Sequence, residues 1–275
     1  MSEDSPSGIL LVDKPPGPTS HDMVSRARRA LGTRRVGHAG TLDPFATGLL
    51  IVLAGRATRL ARYFVELPKT YEVLAQLGAT SSTGDTEGEI THTGRIPDPL
   101  ELPHGTIRQR PPAYSAVKID GERAYARARR GEDVQTAERE VTVHESSELR
   151  RDGDRVALRF VCSSGTYVRS LVADLGDAYC LQLRRTAIGP FEADGAWPGE
   201  GTPELIPIEG AWARFAPTLE LNAEDARLAA HGRPLQARGT TEAVLLLDPD
   251  GIAIAIASER DGGLRVDVGL TPSEV

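Results

Sequence analysis

Apolar residues recur along this chain in two rhythms. Alternation of period two marks strands. Tyr71, Val73, Ala75 and Leu77 alternate through KTYEVLAQLG, and Val156, Leu158, Phe160 and Cys162 through RVALRFVCS. GILLVDKPPGPTS reads as a short strand ended by a Pro/Gly turn, and LQLRRTAIG as a further strand. A helical rhythm follows the first turn. Met23, Val24, Ala27, Ala30 and Leu31 share one face of a segment that Thr19 and Asp22 can cap and Gly32 can end. ATRLARYFVEL predicts a second helix. GTYVRSLVADLG predicts a third, with Val168, Leu171, Val172 and Leu175 inward and Gly176 closing it. TSSTGDTEGE reads as a polar loop. Strands and helices mix irregularly, which predicts an α+β fold with a mixed, largely antiparallel sheet and flanking helices.

The passage WPGEGTPELIPIEGAW interrupts both rhythms and predicts a joint between separately packed units, 1–215 and 216–275. Beyond it, LNAEDARLAAHG is a short helix capped by Asn222 with Asp225. EAVLLLDPDGIAIAIAS folds back at Asp248–Gly251, and LRVDVGL adds a further strand, making a small β module. No internal repeat or low-complexity tract is present.

Composition narrows the class. The 275 residues, 40% hydrophobic and 26% charged, suffice for a buried core. The apolar run Leu49–Ala54 is too short to cross a bilayer, and the polar start MSEDSPSG is no secretory signal. Cys162 and Cys180 show neither metal-ligand spacing nor a disulfide framework, so a cytoplasmic setting and no metal are expected.

Charge changes the picture more. The net charge is −7, yet residues 1–199 hold 26 basic and 26 acidic residues, and residues 200–275 hold 6 and 13. The neutral part clusters its cations as Arg26, Arg28, Arg29, Arg34 and Arg35; as Arg56, Arg59, Arg62 and Lys69; and as Arg108, Arg110, Lys118, Arg123, Arg127, Arg129 and Arg130. Such clusters suit a polyanion, or they are solvated faces. Against 29 arginines stand three lysines, Lys14, Lys69 and Lys118. An ammonium differs from a guanidinium in shape and hydration, so these positions hint at particular roles.

The segment RRVGHAGTLDPFATGLLIVLAG holds the candidate chemistry. Asp43 stands alone between basic residues and an apolar wall, with Gly37, Gly40 and Gly48 permitting close backbone approach. Asp followed by Pro also fits a helix N-cap, and His38 also fits a turn residue satisfied locally. Metal, nucleotide-loop and serine-elbow motifs are missing from the sequence.

GHAGTLDPFATGLL closely resembles the active-site motif of the TruB family, the bacterial tRNA pseudouridine-55 synthases. LLVDKPPGPTSHD, KTYEVLAQLGATSSTGDTEGE, PPAYSAVKIDGERAYARARRG, SSGTYVRSLVADLG and LRRTAIG occur in the family's order. The resemblance spans residues 8–190, and the C-terminal module is similar to the family's PUA-like domain. It implies a pseudouridine-synthase fold with an RNA-gripping insertion around 105–135. It also implies isomerisation of a flipped-out uridine in the tRNA T-loop, with no cofactor, by a monomer needing no protein partner. Asp43 matches the catalytic aspartate, Arg169 its arginine partner, and Tyr71 the tyrosine stacked on uracil. Tyr167 and Leu183 match other pocket residues. His38 matches the histidine that fills the vacated space, and Lys14 with Pro15 the supporting turn. Lys69 is expected to bind substrate. Two features depart from the family: Ala39 replaces a hydroxyl residue, and the C-terminal module is acidic. A pseudouridine synthase for another RNA, or an RNA-folding chaperone, is the alternative; a glycoside hydrolase would need a second acid.

Overall fold

The computed structural model describes residues 6–271 except 116, 120, 125, 126, 128, 129, 133 and 135. Arg129, and the side chains of Lys118 and Arg123, therefore lie outside the described residues. The strands are β1 (Gly8–Lys14), β2 (Val36–His38), β3 (Thr47–Ala54), β4 (Lys69–Leu77), β5 (Ala79–Ser81), β6 (Ile90–His92), β7 (Gly105–Gln109), β8 (Lys118–Ile119) and β9 (Glu122–Arg123), followed by β10 (Arg139–Asp152), β11 (Arg155–Cys162), β12 (Ala178–Ile188) and β13 (Phe191–Glu192). A second group comprises β14 (Thr218–Glu220), β15 (Leu235–Gln236), β16 (Val244–Leu247), β17 (Ala253–Arg260) and β18 (Gly263–Gly269). Helices are α1 (Ser20–Leu31), α2 (Ala61–Glu66), α3 (Val168–Ala173), α4 (Ile208–Trp212) and α5 (Ala223–Ala230).

The main sheet runs β1-β3-β12-β4-β11-β10-β7, with β2 on β3 and β13 on β12. Its pairings are antiparallel except β12 with β3, which run parallel over Arg184↔Thr47 and Arg185↔Gly48. This is the mixed, largely antiparallel α+β architecture that the periodicity predicts. The alternation in β4 buries Lys69, Tyr71, Val73, Ala75 and Leu77, and the last four share a buried cluster with Val168, Leu171 and Val172 of α3. Strand β3 has no polar face because both sides are covered. Leu50 and Val52 pack against Met23, Val24 and Ala27 of α1, while Leu49, Ile51 and Leu53 join the cluster around Phe64 and Trp212.

Helix α1 begins with the expected reciprocal cap: Thr19 accepts from the Asp22 amide, and Asp22 accepts from the Thr19 amide at 2.8 Å. Gly32 ends it in the left-handed conformation, φ 64°. Ala30 is exposed and drops out of the expected apolar face. TSSTGDTEGE is not simply a loop. It starts within the β5–β6 hairpin and buries Asp85.

The passage between the two sequence regions is not a free joint. Ile9 exchanges backbone hydrogen bonds with Ile206, and the Asp13 amide donates to the Trp197 carbonyl, so the passage lines the edge of β1. Leu245, Leu247, Ala253, Ile256 and Leu270 belong to the same buried cluster as Ile9, Phe64 and Trp212, so packing is continuous across residue 216. Arg56 and Arg59 donate to the carbonyls of Leu270 and Gly269, the latter at 2.6 Å. These two arginines fasten the last strand rather than form a free basic patch.

Candidate active site

The loop from Gly40 to Ala46 lies between β2 and β3 and forms no helix, so Asp43 caps nothing. Its shape comes from outside. From α1, the Ser20 hydroxyl accepts from the Leu42 amide at 2.8 Å and donates to the Leu42 carbonyl at 3.1 Å. From β1, the Lys14 ammonium donates to the carbonyls of Pro15, Pro18 and Pro44, the last at 3.0 Å. From β12, the Arg185 guanidinium, 1% exposed, donates to the carbonyls of Leu49, Thr41 and Gly40. Gly40 and Gly48 both adopt φ 102°. A Cβ on Gly48 would lie 2.2 Å from the Arg185 carbonyl oxygen, so glycine permits this strand crossing. Gly37 has no such requirement.

Asp43 faces a cavity of about 330 Å³. Arg169, 4% exposed, donates from Nε to Asp43 Oδ2 at 2.9 Å. Its Nη1 donates to the Thr83 carbonyl and lies 3.4 Å from Asp85 Oδ2, while Nη2 donates to the Tyr114 carbonyl. Asp85 is itself held by the Thr83 hydroxyl and the Glu87 amide. The guanidinium is thus fixed in all directions, and Asp43 receives one of its donors.

The cavity has an apolar side formed by Tyr71, Leu183, Val65 and Val168. Leu183 and Val73 are direct partners across β12 and β4, which places Leu183 beside Tyr71. Burial pushes the Tyr71 phenol up, partly offset by the Arg185 guanidinium at hydrogen-bonding reach. The phenol stays protonated at neutral pH and presents a ring face and a neutral hydroxyl. Tyr167 also lines the cavity. Gln109 fixes it by accepting from its amide at 2.7 Å and donating to its carbonyl at 3.0 Å.

Lys69 reaches the cavity while its ammonium donates to the Val65 and Leu67 carbonyls. Burial, then the Arg185 charge, bring it down to about 8. Lys14 is fully buried beneath the loop and does not line the cavity. Burial lowers it to about 8 as well, with Asp43 opposing and Arg185 assisting the shift. His38, on β2, also lies outside the cavity lining. The structure therefore brings Asp43, Arg169, Tyr71, Tyr167, Leu183 and Lys69 together, and puts Lys14 behind the loop. Three further residues matter: Asp85, Arg185 and Arg139. Asp85 was hidden in a polar string and Arg185 in a strand; only their long-range partners reveal them.

Among the described residues, no group of three His, Cys, Asp or Glu side chains is placed to hold a metal ion. Both cysteines are buried, and burial raises both thiols, Cys162 to about 11. Neither is a ready nucleophile at neutral pH. What remains is one carboxylate, a fixed guanidinium and an apolar slot beside them, an arrangement that can receive a planar base and place a carboxylate against its attached carbon.

Residues 28–168 match the N-terminal domain of the TruB family of pseudouridylate synthases. The tRNA pseudouridine synthase B of Corynebacterium aurimucosum is 42% identical, over 97% of this chain and 97% of its own length. That of Thermobifida fusca is 44% identical over 93% of this chain and 95% of its own. A solved chain in a Cbf5-Nop10-Gar1 complex superposes with a TM-score of 0.70 at 25% identity, covering 96% of this chain and 85% of that one.

Proposed function

This chain belongs to the TruB family of pseudouridylate synthases, and on that premise we propose that it isomerises the T-loop uridine at position 55 of tRNA with Asp43 as the catalytic carboxylate. It is an isomerase that converts uridine to pseudouridine in tRNA. The observation that supports the finer assignment is the pairing of Asp43 with Arg169 at the edge of the slot lined by Tyr71 and Leu183.

The reaction breaks the N1–C1′ bond, turns the base and joins C5 to C1′. The C5 proton is lost and N1 gains one, so no external reactant is consumed. A uridine stacked in a loop must first leave the stack, at about a few kcal/mol. The Tyr71 ring and Leu183 receive the base and offset part of that cost. Asp43 then meets the sugar edge of the nucleotide. Arg169 holds its carboxylate in one orientation, so little reorganisation is needed when charge shifts. Lys14, Ser20 and Arg185 are positioning residues acting through the loop. His38, close along the chain to Gly40, occupies the space that the base vacates in this reading. The same reading takes residues 1–215 as the catalytic domain, with an RNA-gripping insertion around 105–135, and 216–275 as a PUA-like module. It takes the T-arm as the bound element, and the enzyme as a cytoplasmic monomer needing no protein partner.

The test is an unmodified tRNA transcript incubated with enzyme and mapped for pseudouridine by carbodiimide chemistry. Wild type gives one modified T-loop position. Asp43→Asn gives none, with RNA affinity within about tenfold, because phosphate contacts position the RNA independently of the reacting base. Wild-type turnover by Asp43→Asn removes the catalytic assignment. Modification elsewhere removes the position-55 assignment.

A further inference from the structure

Among the described residues, four cations line the cavity: Lys69, Arg139, Arg169 and Arg185. Three are each held by two or more protein acceptors. Lys69 is held by two carbonyls, Arg185 by three, and Arg169 by Asp43, Asp85 and two carbonyls. Arg139 differs. Among the described residues, its Nη2 alone has a hydrogen-bond acceptor, the Gly165 carbonyl, and its Nε is enclosed without a partner. Among the described residues no carboxylate lies within ion-pair distance of it. Its guanidinium stacks on the Tyr167 ring, 4.8 Å from the centroid. That stack is rigid from beneath. Arg139 pairs with Gln109 across β10 and β7, and Gln109 grips both backbone polar groups of Tyr167.

A guanidinium with spare donors and no counter-charge among the described residues, in a cavity with an apolar base slot, matches an anionic oxygen pair. The accessible spare donors are those of Nη1, and an anionic oxygen can accept from them. We propose that Arg139 binds a phosphodiester flanking the flipped-out uridine, clamping the backbone while Tyr71 and Leu183 hold the base. The assignment rests on the RNA-isomerase reading and adds to it the group that fixes the nucleotide's phosphate.

The experiment uses the intact enzyme and three T-arm stem-loops: one unmodified, one with a methylphosphonate 5′ to the target uridine, and one with it 3′. Dissociation constants are measured directly over a salt series, so they stand whether or not product forms. Arg139→Gln is expected to weaken binding of the unmodified RNA about tenfold and to flatten the log–log salt slope by about one phosphate contact. At one of the two linkages, the methylphosphonate weakens wild type by a similar factor and leaves Arg139→Gln unchanged. Arg139→Lys keeps the salt slope but binds more weakly, and serves as the second variant should the glutamine form misfold. Equal affinity and slope for all variants overturn the proposal, as do losses that multiply at both linkages. Absence of pseudouridine from wild type on the unmodified RNA overturns the underlying reading instead.

Discussion

Arg169 touches Asp43 through Nε alone, at 2.9 Å, and directs the rest of its guanidinium to Asp85 and to the carbonyls of Thr83 and Tyr114. The arginine is therefore a planar spacer between two carboxylates, anchored more firmly to its scaffold than to the group it orients. A lysine keeps the charge but cannot span these directions at once. Arg169→Lys is expected to slow the single-turnover isomerisation by on the order of 10²-fold, as a misplaced reacting group does, with RNA affinity nearly unchanged. Rapid-quench kinetics with separate binding measurements check this; an unaltered rate contradicts it.

Lys14 and Lys69 give a pH signature. Burial lowers both to about 8, against 10.5 for the free side chain. Between those values the unfolded chain binds more protons than the folded one, so their contribution to stability rises with pH across that window. The burial penalty is full below about pH 8 and is relieved towards 10.5. With only three lysines in the chain, lysine-selective NMR labelling resolves each one. Two signals should titrate near 8, and Lys69→Met should remove one of them.

The basic clusters divide by role. Arg28 donates to the Val36 carbonyl, and Arg56 and Arg59 hold the end of β18. Arg26 and Arg29 line an outer groove beside Trp197. Arg26→Gln with Arg29→Gln should flatten the salt dependence of tRNA binding by up to about two phosphate contacts and leave thermal stability unchanged. Arg56→Gln with Arg59→Gln should do the reverse. Filter binding at several salt concentrations and thermal unfolding separate the two outcomes.

Cutting the chain after Ala216 should not yield a quiet catalytic fragment. The cut uncovers Trp212, whose indole donates to the Pro217 carbonyl, together with the Phe64 cluster that Leu245, Leu247, Ile256 and Leu270 cover. Losing several large apolar contacts of this kind costs about 2–5 kcal/mol each. We expect a lowered melting temperature and aggregation, with loss of activity on a short stem-loop. A soluble, fully active fragment would show that the shared cluster is dispensable.

Much of this was readable from the chain. The inward residues of β4 and β11 and both caps of α1 follow from local rules, because alternation and capping act over a few residues; Asp43 stood out as a lone carboxylate, and its proposed role came only from the resemblance to the TruB family. What stayed hidden acts across long separations. Asp85 looks like one more acid in a polar loop until Arg169, 84 positions on, arrives beside it. Arg185 looks like a strand residue until its side chain meets carbonyls of the Asp43 loop. The Pro/Gly passage looked like a joint because proline and glycine punctuate local structure, yet its backbone still pairs with β1. Arg56 and Arg59 looked like a cationic surface because charge patterning does not say which carbonyl a guanidinium will meet.

The Gly40–Ala46 loop has no regular structure of its own and is shaped by Lys14, Ser20 and Arg185, with Asp43 then oriented by Arg169. During synthesis Asp43 leaves the ribosome early, but the last two of those partners follow more than a hundred residues later. On the catalytic assignment proposed above, an unfinished copy holds the reacting carboxylate without the groups that orient it. The order of translation thus withholds both arginines that shape and orient the Asp43 loop until most of the polypeptide exists.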